Sequence, residues 1–172
     1  MKRALVLIVA LVFFPVLSSF AFAGSVTAKT FLIHVKSPMT KHCARTVFIP
    51  HLVLNALQQG YQVVILFDDD GVSAIKIGAW YGGHTTPLDK TALPEEERRS
   101  LSTLLGVPES GIPDNYGDFV RFLKGKGVEL YANKLVMELR NIRGDKYDHA
   151  VTPVGMDKMV EILGRATIYV AY

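Results

Sequence analysis

The run Tyr61-Gln62-Val63-Val64-Ile65-Leu66-Phe67 constrains this chain more than any other feature. A strand with one face in water alternates apolar and polar residues, and this run does not, so both of its faces must be covered. Asp68-Asp69-Asp70-Gly71 closes it with turn-forming residues. A strand covered on both faces calls for helices above and below a sheet, and the rest of the chain supplies them. Thr30-Phe31-Leu32-Ile33-His34-Val35 is a second apolar strand that runs into Ser37-Pro38. Between the two, residues 40–59 carry a helical pattern in Ala44, Val47, Leu52, Leu54, Ala56 and Leu57, ended by Gly60; Pro50 must kink this helix or mark its first turn.

Further along, residues 72–77 read as a short helix, and residues 78–94, with three glycines, two prolines and the Trp80-Tyr81 pair, as an extended surface loop. Pro94 followed by Glu95, Glu96 and Glu97 opens a helix that ends at Gly106, because proline suits a first turn and acids complement the positive end of the dipole. Asp114 or Asn115 caps a helix holding Phe119, Val120, Phe122 and Leu123. The last third alternates strand (128–132), helix (134–142), short strand (150–152), helix (156–163) and strand (166–171). Strands separated by helices predict a single domain, residues 24–172, of three-layer α/β/α sandwich type, with a mainly parallel sheet of about five strands.

Composition fits one such domain: 172 residues with 49% hydrophobic and 20% charged residues bury one core. Met1-Lys2-Arg3, an apolar stretch over residues 4–20 and Ala21-Phe22-Ala23 together read as a secretory signal peptide cut after Ala23, which predicts a periplasmic or secreted protein whose only membrane contact is through the leader. The net charge of +3 then falls to +1, because removing Lys2 and Arg3 leaves 17 basic against 16 acidic residues. That balance argues against nucleic acid as a partner. With Cys43 as the one cysteine, no internal disulfide is possible.

The segments Gly127-Val128-Glu129-Leu130-Tyr131-Ala132-Asn133, Val151-Thr152-Pro153-Val154-Gly155-Met156 and Ala166-Thr167-Ile168-Tyr169-Val170, with Gly60-Tyr61-Gln62-Val63-Val64 and the Asp70-Gly71-Val72 turn, resemble the DsrE/DsrF-like family, which includes the TusD-type sulfur-relay proteins. The resemblance covers roughly residues 31–172. It implies a sulfur-related role, since members with known roles hold a persulfide on a cysteine, and it implies assembly into homo-oligomers. The family's cysteine falls in or just after the strand at residues 128–132. Ala132, Asn133 and Lys134 stand there instead, and only a thiolate can accept and pass on sulfane sulfur.

Cys43 is the candidate catalytic residue, with Lys41, His42 and Arg45 as modulators: positive neighbours and a helix start lower a thiol pKa. The plainer reading is a small buried hydrophobe. His34, His42 and His51 lie near Cys43 in sequence, but their spacing matches no metal motif. Asp68, Asp69 and Asp70 sit at the carboxyl end of a central strand, where open sheets place ligands, and are either a ligand site or a solvated turn. Trp80 and His84, in an aromatic, glycine-bearing loop, either stack a ligand or pack on another subunit. Neither a P-loop nor a nucleophile elbow is present. The sequence therefore predicts an exported binding or assembly protein connected with sulfur compounds or a protein partner; the alternatives are a thiol-dependent sulfur carrier or sulfurtransferase using Cys43, and a metal-binding module. It specifies no cofactor.

Overall fold

The structure, a computed structural model, describes residues 29–38, 44–77 and 87–172, without the side chains of 44–48. Five strands form one parallel sheet: β1 (Thr30–Val35), β2 (Gln62–Phe67), β3 (Glu129–Asn133), β4 (Thr152–Val154) and β5 (Ala166–Ala171), in the order β4-β3-β2-β1-β5. The helices are α1 (Ala44–Gln58), α2 (Glu95–Leu105), α3 (Tyr116–Gly125), α4 (Lys134–Leu139) and α5 (Met156–Arg165), with a 3-10 helix over Asp69–Ile75. The expected α/β architecture is therefore what the chain adopts.

Strand order explains how the layers are shared out. From β1 through β2 and β3 to β4 the chain always steps in one direction, and right-handed crossovers place their connecting segments on one face. The step from β4 to β5 runs back across the sheet, so α5 lies on the opposite face. The two cores follow this division. Phe31, Ile33, Val35, Val63, Ile65 and Phe67 pack with Ile49, Val53 and Ala56 of α1 and Phe119 and Leu123 of α3, while Leu32, Val64 and Leu66 pack with Met159 and Ile162 of α5. Both halves of the apolar run in β2 are thus buried, and neither face could have tolerated polar residues.

Several boundaries differ from expectation, each for a local reason. Of the two places open to Pro50, the helix interior and the first turn, it takes the interior of α1. The 3-10 helix starts at Asp69, because the Asp68 carboxylate accepts from the Asp69 N–H and caps it, so the aspartates begin a helix instead of ending a strand in a loop. Residues 87–94 are not a surface loop: Leu88 and Leu93 are in the core, and the Leu93 N–H donates to the Asp114 carbonyl. The helix expected over residues 134–142 is shorter, since Asn141 adopts φ 55° and turns the chain. β4 lies two residues later than expected and includes Pro153, which an edge strand tolerates because one side of its backbone needs no ladder bond.

Candidate functional site

In a parallel sheet every strand ends on the same edge, and here three consecutive carboxyl ends deliver polar side chains that meet. His34 is the penultimate residue of β1, Asp68 follows β2, and Asn133 closes β3. The parallel register pairs His34 with Leu66, which places Asp68 within reach of the imidazole. His34 Nε2 lies 3.2 Å from Asp68 Oδ2, and Asn133 Nδ2 donates to Asp68 Oδ1 at 2.8 Å. On the other side His34 Nδ1 is 2.9 Å from the Tyr169 hydroxyl of β5, whose ring meets the imidazole edge-on.

Protonation states follow from these contacts. Burial pushes His34 below its ordinary value, an effect that the hydrogen bond to Asp68 only partly offsets. Burial alone would raise Asp68, but the hydrogen bonds from Asn133, the Asp69 N–H and His34 outweigh it and hold the carboxyl below its ordinary value. Near neutral pH the site therefore holds a carboxylate beside a neutral imidazole. An ionised carboxylate only accepts, so His34 carries its proton on Nε2 and Nδ1 accepts from the Tyr169 O–H. His34 is 6% exposed and Tyr169 50%, so the hydrogen bonds lead from a buried imidazole out to solvent. Such an arrangement can hold a polar ligand at the Tyr169 hydroxyl and take up a proton at His34 Nδ1, with Asp68 stabilising the imidazolium.

Asn133 is committed at both ends of its side chain. While Nδ2 serves Asp68, Oδ1 accepts from the N–H groups of Leu135 and Val136 and so caps α4. Of Ala132, Asn133 and Lys134, which stand where the resemblance implies a cysteine, Asn133 is thus a structural amide.

The three aspartates do not act as a set. Asp68 faces His34 and Asn133, whereas Asp70 pairs with Arg140 just past α4. Asp69 accepts no ion pair among the described residues and carries φ 47°. Among the described residues no group of three or more His, Cys, Asp or Glu could hold a metal ion. His34 and His51 do not converge either: His51 Nε2 lies 3.0 Å from Glu97 Oε1, between α1 and α2. There the buried Tyr116 hydroxyl is pushed up to about 12, by burial first and by Glu97 second. Cys43, His42, Lys41, Trp80 and His84 lie outside the described residues, as does the side chain of Arg45. In sequence, Cys43 immediately precedes α1.

Sequence reasoning misses Asn133 and Tyr169 as members of this site, and in the sequence His34 stands out only as a neighbour of Cys43. Asn133 carried a signal, an Asn between a strand and a helical pattern. The meeting of His34 with Tyr169 depends on β5 returning to pair with β1.

No family model matches the chain, and no curated protein matches it. Among solved structures, it is similar to the ychN protein from E. coli, at 11% identity over 84% of this chain and 99% of that one, with a TM-score of 0.49. It is also similar to a protein of unknown function from Methanobacterium thermoautotrophicum, at 12% identity over 84% and 99%, with a TM-score of 0.44.

Proposed function

We propose that this chain is an exported DsrE/DsrF-like protein that binds a small sulfur compound at the carboxyl edge of its sheet, without persulfide chemistry at the end of β3. The observation that carries this reading is Asn133, an amide tied to Asp68 and to the start of α4, in the stretch 132–134 where the resemblance implies a thiol. The His34–Asp68 pair and the Tyr169 hydroxyl offer polar contacts for a ligand, on the edge where open α/β sheets bind them. In this reading the leader is removed after Ala23 and the protein self-associates. Exposed Met156, Val160 and Leu163, one stripe along α5, support self-association, and a monomer in sedimentation would remove that part.

One feature favours a second reading, sulfur carriage by Cys43: in sequence this residue directly precedes a helix of 15 residues, and a helix start favours a thiolate. Glutathione persulfide added to wild type, Cys43→Ser and His34→Gln separates the two readings by native mass spectrometry. Reversible binding that survives Cys43→Ser and weakens at least tenfold in His34→Gln is expected. A covalent gain of one sulfur atom on Cys43, with all binding lost in Cys43→Ser, would establish the carrier instead, and no binding by any variant would end both readings.

A further inference from the structure

A cationic pocket lies apart from the His34 site, where the segment after the 3-10 helix meets the α4–β4 connection. It has a volume of about 220 Å³ and is lined by Lys76, Ile77, Arg140, Asn141, Ile142 and Lys146. Backbone geometry holds these residues together. Lys76 bridges Tyr147 in antiparallel fashion, the Ile77 N–H donates to the Lys146 carbonyl at 3.1 Å, and the Asp148 N–H donates to the Ile75 carbonyl at 2.9 Å. From the other side, α4 ends in a Schellman turn. The Asn141 N–H donates to the Glu138 carbonyl and the Ile142 N–H to the Met137 carbonyl, with Asn141 left-handed and Met137 and Ile142 both buried. This turn fixes Arg140 and Asn141 at the rim.

The charges in this pocket are not balanced. Asp70 pairs with Arg140 but occupies only part of its fork of five donors. Neither Lys76 nor Lys146 makes an ion pair among the described residues. All 16 acidic residues of the chain lie within the described segments, so no acid elsewhere in the sequence is left to neutralise them. Both lysines are only half-exposed, which keeps their charges less screened than those of fully solvated lysines. Asn141 Oδ1 accepts from Arg143 Nε, which leaves the Asn141 amide N–H groups as neutral donors beside three cations.

We propose that this pocket binds a small tetrahedral oxyanion of the sulfate or phosphate class. Two ammonium groups, the remaining edge of a guanidinium and an amide can surround such an ion with charge-assisted hydrogen bonds. The volume of about 220 Å³ leaves room for such an ion with part of its hydration shell. It falls below the ~300 Å³ at which pockets begin to enclose larger organic ligands, which suits the free ion. The site is independent of the His34 edge and stands or falls separately from the function proposed there.

Calorimetric titration of the protein with sodium sulfate and with sodium phosphate, against sodium chloride at matched ionic strength, tests this. Saturable binding of at least one oxyanion at one ion per chain is expected, weakened at least tenfold by Lys76→Gln or Lys146→Gln and unchanged by His34→Gln or by Lys158→Gln on α5. Backbone amide shifts in the wild type give a readout that needs no variant, and they should move at Ile77, Asn141 and Ile142. Heats indistinguishable from chloride, shifts confined to other residues, or equal weakening by Lys158→Gln would overturn the proposal.

Discussion

Gly71 shows how a residue can be read correctly and for the wrong reason. Asp70-Gly71 in the sequence points to a glycine needed for its backbone freedom, yet the left-handed residue in this turn is Asp69, with φ 47°. Gly71 is needed for space: a Cβ there would sit 2.1 Å from the Val35 carbonyl oxygen, because the Gly71 N–H reaches back to the Lys36 carbonyl and draws the 3-10 helix against the end of β1. The obstacle is backbone, which cannot rotate away. Gly71→Ala should cost about 1–3 kcal/mol in chemical denaturation and disturb the approach of Asp68 to His34, whereas Asp69→Gly should leave stability nearly unchanged. His34 itself was visible only as a polar interruption of an apolar strand. A sequence cannot show that its partner stands 34 positions away until β1 and β2 are paired in register.

At the scale of elements, strands and helices were legible wherever burial and capping agree. β1 and β5 fall where their apolar runs do, and α2 and α3 start after Pro94 and Asn115 and end near glycines. The failures lie where a backbone turn overrides a helical pattern. The apolar spacing from Leu135 to Ile142 continues past the end of α4, and only the left-handed Asn141 stops it. Asn133 acts across two elements at once, capping α4 and bonding the carboxylate that follows β2. Asn133→Ala therefore removes a cap and leaves Asp68 short of a donor. A loss of about 2 kcal/mol in urea unfolding is expected, while Asn133→Asp should restore the cap yet set a second carboxylate against Asp68. An Asn133→Asp variant as stable as wild type would show that the bond to Asp68 contributes nothing.

For the whole molecule, the strand order decides what the site faces. Because only the return from β4 to β5 puts a helix on the second face, α5 is the described helix packed against Leu32, Val64 and Leu66, and the His34 edge opens toward Tyr169. The protonation states of this edge should mark stability against pH. His34 binds its proton less readily folded than unfolded, so its contribution is complete above the ordinary value of 6.5 and is lost as pH falls below it. Asp68, with its pKa lowered by folding, contributes above its ordinary value of 3.8 and loses that contribution as pH falls through the folded value. Unfolding free energy should thus decline in two steps on acidification, and His34→Gln should remove most of the upper one. The most direct test of a binding site at this edge is the imidazole nitrogen NMR spectrum of His34 at pH 7 in Cys43→Ser protein, recorded while glutathione persulfide is added. A neutral ring protonated on Nε2, whose Nδ1 resonance moves saturably with ligand, is the expected result. A His34 signal that stays fixed while ligand accumulates on the protein would contradict it.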